Sequence, residues 1–221
     1  PAARFAPSGG PSFEEIAPLS KPSSLAFDNG IGGFEPQSGD YIIHLEPGEA
    51  TPAPWCNVIA NEDFGTVVSD SGLGFTWSVN SGENRLTPWS NDPICETPGE
   101  VVYLRDEQTG GIWTPTPAPL GRDAACQIRH GAGWTTWSQN SHGLEQVLRV
   151  FVPEDAPVKL ITLRLVNQAK TPRRLTATCY VEWLLGAMAS RSKPHVICEY
   201  DATSQTILAR NGWNPEFGAR V

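Results

Sequence analysis

Val158-Lys159-Leu160-Ile161-Thr162-Leu163-Arg164-Leu165-Val166-Asn167 is the stretch that decides the fold class of this chain. Ile161, Leu163 and Leu165 fall on one side of an extended segment, and Thr162 and Arg164 on the other. That period of two is the pattern of a half-buried antiparallel strand. Leu175-Thr176-Ala177-Thr178-Cys179-Tyr180-Val181-Glu182 repeats it, with Leu175, Ala177, Cys179 and Val181 inward and Thr176, Thr178 and Glu182 outward. Gln168-Ala169-Lys170-Thr171-Pro172-Arg173 between them reads as the turn of one long hairpin.

Working outward, Ala125–His130, Thr135–Asn140 and Gly143–Val152 are strand-like with turns between them. Asp40–Leu45 alternates after the Gly-rich Gly30–Gly33 turn, and Gly65–Ser69, Leu73–Trp77 and Val101–Leu104 are strands of similar length. No segment reads as a helix of about 12 residues or more. The 21 Gly and 20 Pro of this 221-residue chain supply the turns that many short strands need. The expected fold is an all-β, antiparallel β-sandwich. Residues 1–24, rich in Pro, Ser and Gly, are expected to be a linker or flexible tail, with Phe13–Ile16 as a short helical turn. The sandwich domain is expected over residues 25–221. The chain begins at Pro1 and stops at Val221 in what reads as the start of a strand, so it is expected to be a fragment, its sandwich truncated at the C-terminal end.

Charge narrows the partners. The net charge of −8 repels phosphate backbones, which removes the main source of nucleic-acid affinity. No dense Lys/Arg run offers contact to an anionic membrane, and no run approaches the ~20 apolar residues of a membrane span. A neutral, polyhydroxylated partner fits better. The five Cys have no CxxC-type spacing and no Asn-x-Ser/Thr site occurs, which favours a reducing cytosol. Cys-based zinc binding is excluded by the same spacing, and His44, His130, His142 and His195 lack metal spacing, although His130 and His142 could meet across a hairpin. No metal and no cofactor are expected. Asp63-Phe64-Gly65 matches a kinase metal-binding triplet, but none of the other kinase motifs accompanies it.

Two residue types remain as candidates for chemistry. Glycosidases place two carboxyls about 5 Å apart or wider. Glu62, Asp63, Glu83, Asp92, Glu96, Asp106 and Glu107 are available, but spacing brings no two of them together. Trp55, Trp77, Trp89, Trp113, Trp134 and Trp137 cluster in the loop-rich half. Indoles stack on the C–H faces of sugars, and they also anchor cores by burying ~200 Å² each. The long Ser78–Glu100 loop, of a length usually functional or pinned by contacts, adds Trp89-Ser90-Asn91-Asp92 and Asn80-Ser81-Gly82-Glu83-Asn84-Arg85. Trp89 and Asn91 are therefore candidate sugar contacts.

Three ordered runs carry a resemblance. The first is Thr51-Pro52-Ala53-Pro54-Trp55-Cys56-Asn57-Val58-Ile59-Ala60-Asn61 with Phe64-Gly65-Thr66-Val67-Val68-Ser69. The second is Gly74-Phe75-Thr76-Trp77 with Asn80–Pro93, and the third Tyr103-Leu104-Arg105-Asp106-Glu107 with Trp113-Thr114-Pro115-Thr116. In order and spacing they resemble the N-terminal domain of glycoside hydrolase family 94, formerly glycosyltransferase family 36. Leu86–Pro93 and Ala209–Phe217 look most like cyclic β-1,2-glucan synthases and 1,2-β-oligoglucan phosphorylases. Gly82 departs from the pattern, since many relatives carry Arg there.

The resemblance implies a β-supersandwich of the galactose-mutarotase-like kind, joined by a helical linker to an (α/α)6 barrel. In such enzymes phosphate attacks the anomeric carbon with inversion, and one Asp protonates the leaving oxygen. Both sites lie in the barrel, so the resemblance implies no catalytic residue in this chain and inorganic phosphate as co-substrate of the parent enzyme. It further implies a β-glucan or glucooligosaccharide as ligand, the barrel of the same polypeptide as partner, and a homodimer. A cytoplasmic location is expected, with the parent attached to the inner membrane if it is a cyclic glucan synthase. A sandwich segment of phosphorylase dimers can reach the neighbouring subunit's pocket. Arg191-Ser192-Lys193-Pro194-His195 falls about where that segment would lie, which makes Arg191 and His195 candidate sugar contacts. A stand-alone carbohydrate-binding module is the alternative reading of the Trp-rich loops.

Overall fold

A computed structural model of the chain describes residues 16–89, 92, 97–214 and 217. Its strands are β1 (Gly32–Phe34), β2 (Tyr41–Leu45), β3 (Cys56–Ala60), β4 (Phe64–Ser69), β5 (Leu73–Ser78), β6 (Glu100–Asp106) and β7 (Ile112–Trp113). They continue with β8 (Cys126–Gly131), β9 (Trp134–Ser141), β10 (Leu144–Phe151), β11 (Leu160–Asn167), β12 (Leu175–Val181), β13 (Val196–Asp201) and β14 (Thr206–Asn211). The helical elements are α1 (Ala189–Ser192) and a 3-10 turn over Lys193–His195. All the pairings are antiparallel, as the alternating patterns predict.

The largest sheet has six strands in the order β1-β2-β8-β9-β10-β11. Alternation divides its residues: Thr135, Trp137, Leu144, Leu148 and Val150 are buried, while Trp134, Thr136, Arg149 and Phe151 lie on the opposite face. The β3-β4-β5 and β12-β6-β7 sheets supply the other half of the core. Ile59, Phe64, Val68 and Val102 pack with Ile43, Ile128, Trp137 and Leu148 in the main cluster. Leu104 and Trp113 form a second cluster with Leu144, Leu163 and Leu165. Burying a side chain of this size contributes about 1.5–3 kcal/mol, so these facing positions dominate the stability of the fold. Edge strand β3 is stitched to the six-stranded sheet by two asparagines. Asn57 Nδ2 donates to the Gly131 carbonyl (3.0 Å), the Trp134 carbonyl (3.0 Å) and Thr135 Oγ1 (3.1 Å). Asn61 Nδ2 donates to the carbonyls of Pro153 and Ala156, both at 2.8 Å.

Two expectations need correction. The segment pair that defined the fold class is no hairpin: β11 pairs with β10, whereas β12 pairs with β6 in another sheet. The connection crosses between sheets because Arg173 is captured there. Its Nη2 and Nε donate to Asp106 Oδ2 at 2.6 and 3.1 Å, its Nη1 donates to the His142 carbonyl, and the Glu107 amide donates to the Arg174 carbonyl at 2.9 Å. Second, Ala177 and Cys179 of β12 are exposed despite their inward phase. Cys179 and Val181 do face the space between sheets, where they line a 270 Å³ cleft with Phe64, Leu86 and Trp183. The phase was right and the burial was not, because that space is open to solvent.

Strands β1, β3, β7, β13 and β14 were not anticipated; β1 lies in the segment read as a Gly-rich turn. The helical turn expected at Phe13–Ile16 falls mostly outside the described residues. His130 and His142 do not converge: they lie beyond opposite ends of the segment Thr135–Ser141, and no group of His, Cys, Asp or Glu among the described residues could hold a metal ion. No helix among them is long and apolar enough to cross a membrane.

Candidate functional site

Three segments meet: the loop after β5, the segment from Trp183 to His195, and the turn after β14. Backbone pairing starts the junction. Arg85 bridges both Trp77 and Gly186, and the Leu184 amide donates to the Leu86 carbonyl at 2.8 Å. Asparagines complete it. Asn80 Oδ1 accepts the Gly82 and Glu83 amides at 2.8 and 3.0 Å, a short Asx-type turn that folds the loop back. Buried Asn84 donates to the Ser78 carbonyl at 3.0 Å and accepts from Asn214 Nδ2 at 3.1 Å. Asn211 and Asn214 both donate to the Leu185 carbonyl, at 2.9 and 3.2 Å. Gly186 has no room for a Cβ, which would overlap the Ser192 hydroxyl of α1. Loop ends that would otherwise be soft are thereby fixed by satisfied, partly buried amides.

This frame carries aromatic rings. Buried Phe75 stacks on Trp89 with centroids 5.0 Å apart and planes 10° off parallel, and Trp77 packs on Phe75 at 5.3 Å. The Arg85 guanidinium lies 5.8 Å from the Phe75 centroid. Trp89 remains 37% exposed. Across the junction, His195 stacks on Trp213 at 4.8 Å, and Trp213 is 76% exposed. Arg191 stands exposed in the last turn of α1, four residues from His195. The structure thus brings the loop of Trp89 beside the segment of Arg191 and His195, while the ring contacts stay separate, Trp89 on Phe75 and His195 on Trp213. Asn91 lies outside the described residues. Trp213 was missed as a candidate; a Trp in the Asn211-Gly212-Trp213-Asn214 turn, right after a strand, was the available signal.

The other Trp divide by face. Trp113 and Trp137 are core residues at 1% and 0% exposure, and their indole N–H groups donate to Gln146 Oε1 (2.9 Å) and the Asp70 carbonyl (3.2 Å). Trp55 and Trp134 are half-buried at the surface.

Three carboxylates are buried among the described residues, and all are engaged as ties between segments. Asp70 accepts from the Thr51 hydroxyl at 2.9 Å and the Trp55 amide at 2.7 Å. Glu100 accepts from Thr76 and Thr87 hydroxyls, each at 2.6 Å, and pairs with the Lys159 ammonium. Glu100 was not among the sequence candidates, and Lys159 lies 59 residues away, so no local signal links them. Asp106 is fully buried. Burial alone would raise its pKa, but the hydrogen bonds from Arg173 and the Thr109 and Gln108 amides outweigh it and hold the carboxyl below its ordinary value.

The glycosyl hydrolase 94 supersandwich-domain family matches residues 39–221, and the chain belongs to that family. It is 39% identical over 197 residues, 89% of its length, to the cyclic β-(1,2)-glucan synthase NdvB of Rhizobium meliloti (strain 1021), of which it covers 7%. It is 28% identical to an N,N'-diacetylchitobiose phosphorylase of Vibrio furnissii, with 79% of this chain aligned and 22% of the relative. It is also 28% identical to a 3-O-β-D-glucopyranosyl-β-D-glucuronide phosphorylase of Paenibacillus borealis, with 80% of this chain and 21% of the relative aligned. The chain therefore spans about a fifth or less of these relatives.

Proposed function

We propose that this chain is the non-catalytic β-sandwich of an enzyme that phosphorolyses or transfers β-glucosyl units, with β-1,2-glucan as the substrate, and that it supports a barrel active site and a dimer. Inorganic phosphate is the co-substrate if the parent is a phosphorylase. The observation that carries this reading is the junction of Trp89, Arg191, His195 and Trp213, held by buried Asn84, Asn211 and their partner Asn214, in a chain of the supersandwich family. The state of the buried carboxylates supports it further, since Glu100 and Asp106 are ion-paired and Asp70 is hydrogen-bonded to Thr51 and Trp55, all three committed to contacts that hold segments together. The reading places the parent in the cytoplasm or at the inner membrane.

The test is phosphorolysis of β-1,2-glucooligosaccharides by this chain and by the longer polypeptide that carries it. Turnover by the longer polypeptide alone is expected. Turnover by this chain alone, or no action of the parent on β-glucans, overturns the proposal. A second reading, an independent carbohydrate-binding module, is favoured by the exposed indoles of Trp89 and Trp213. Titration calorimetry of the chain with β-1,2- and β-1,4-glucans tests it, and an absence of heat counts against it.

A further inference from the structure

A second arrangement lies on the outer face of the six-stranded sheet, and none of its residues belongs to the Trp89–Trp213 junction. Register sets it up. Gly131, Trp134, Phe151 and Leu160 form one cross-strand row over β8, β9, β10 and β11, and Arg129, Thr136, Arg149 and Thr162 form the next. Gly131 has no side chain, and a Cβ there would overlap the Trp134 indole, so the indole lies across the glycine. Arg149 is diagonal to Trp134 and two residues from Phe151 on the same face of β10, and it folds over both rings, with its guanidinium carbon 4.9 Å from the Trp134 centroid and 5.6 Å from that of Phe151.

The guanidinium borders an open cleft of about 690 Å³ whose far wall carries Asn61, Glu62 and Glu154. The Asn61 bonds to Pro153 and Ala156 fix that wall, because they tie the β3–β4 turn to the β10–β11 loop. Among the described residues, the side chains of Arg149, Glu62 and Glu154 make no hydrogen bond or ion pair. The cleft therefore presents a stacked, pre-oriented fork of donors opposite two free carboxylate acceptors. One cation facing two carboxylates disfavours an anion such as phosphate. It suits a neutral ligand rich in vicinal hydroxyls, which donate to carboxylates and accept from a guanidinium.

Ala132, at the tip of the β8–β9 turn, also borders a second cleft of about 640 Å³. That cleft is lined by Tyr41, Trp55, Asn57 and His130. Tyr41 and Trp55 meet edge to face at 5.9 Å. The His130 ring is held by hydrogen bonds to Thr135 Oγ1 (2.9 Å) and the Trp55 carbonyl (3.2 Å). Two clefts sharing one residue suit an extended ligand draped over the turn better than a monosaccharide. We infer that the outer face around Arg149 is a binding site for a neutral oligosaccharide chain, independent of the Trp89–Trp213 junction. The inference rests on the saccharide reading of the parent enzyme.

The test is titration calorimetry of the full chain with β-1,2-glucooligosaccharides, with inorganic phosphate as a second probe. Arg149 is exposed, so Arg149→Ala leaves the core intact, and Arg149→Lys keeps the charge without the planar fork. Both variants are expected to weaken glucan binding about tenfold, the loss of roughly one charge-assisted hydrogen bond set. Glu62→Gln with Glu154→Gln is expected to weaken it as well. Glucan binding insensitive to Arg149→Ala, binding lost only with Trp89→Ala, or no glucan binding at all overturns the site. So does phosphate binding that tightens in the Glu→Gln pair, which would mark an anion site. The parent's turnover on β-glucans is read separately, so an active parent with an unchanged Arg149→Ala titration removes this site and leaves the proposed function standing.

Discussion

The Lys159 ammonium, just before β11, and the Glu100 carboxylate of β6 form an ion pair between segments of different sheets, with their side chains only 9% and 4% exposed. The Thr76 and Thr87 hydroxyls complete the carboxylate's partners at 2.6 Å each. Such a pair is worth little relative to apolar replacements, but removing one member strands the other charge. Glu100→Gln is therefore expected to destabilise the fold by about 3–5 kcal/mol in urea denaturation. Glu100→Leu with Lys159→Met is expected to recover most of that loss. Equal losses from the single and double substitutions would show that the pair is not the cause.

Acid is expected to weaken the sandwich in two stages. Burial lowers the His130 pKa from 6.5 to about 4, so the native ring stays neutral while the unfolded ring takes up a proton. More protons on the unfolded state means that stability rises with pH. This contribution is complete above about pH 6.5 and is lost as the pH falls toward 4, a change of roughly 3 kcal/mol. Asp106 acts lower: its carboxyl is held below 3.8, so its contribution is present above that value and disappears as the pH falls through the native pKa. Denaturation midpoints of wild type and His130→Asn between pH 7 and 4 check the first stage. The variant is expected to show the shallower slope, and parallel slopes would assign the acid sensitivity elsewhere.

Two glycines face tryptophans across a strand pair, Gly131 under Trp134 and Gly65 under Trp77. In both, a Cβ would overlap the indole. Gly65→Ala and Gly131→Ala are expected to destabilise by about 1–3 kcal/mol, the usual cost of overpacking. A smaller loss when the facing Trp is also replaced by Leu would confirm the indole as the obstacle, measured as the coupling in a double-mutant cycle.

At the loop junction, Trp89→Ala and Trp213→Ala remove exposed rings that contribute little to the core. In the longer polypeptide they are expected to raise KM for β-1,2-glucooligosaccharides several-fold with little change in thermal midpoint. Asn84→Ala removes a buried tie and is expected to lower the midpoint, by about 1–3 kcal/mol in stability, together with activity. A KM unmoved by either Trp substitution would remove the junction from substrate contact.

Much of the fold was legible because alternation is a local property. Nine of the strands were legible as short extended runs between turn signals, and the clearest, such as Leu160–Asn167, also show a period of two. Strands β1 and β7 escaped because three and two residues are too few for a period to register. Strand β3 escaped because its inner side holds only Ile59, flanked by the polar Asn57 and, just past its end, Asn61, which reads as a loop. The partner of β12 was misread because turn chemistry over Gln168–Arg173 says nothing about where Arg173 finds a carboxylate. Of the site, Trp89, Arg191 and His195 could be named from composition and resemblance. Trp213 was open to the same reading through its place in the turn after a strand. Arg149 and the pairing of Glu62 with Glu154 could not be named, since each gains meaning only from neighbours distant in sequence.

The sequence by itself determined the all-β antiparallel class, the family and the acidic surface that turns away polyanions, because periodicity, motif order and net charge are all summed along the chain. Only the tertiary structure decided which sheet each strand joins, which Trp are core and which are surface, and how Arg149 comes to lie unpaired over Trp134 and Phe151. Those outcomes depend on register and on buried polar ties such as Arg173–Asp106 and Lys159–Glu100, which are contacts between residues that no local pattern connects.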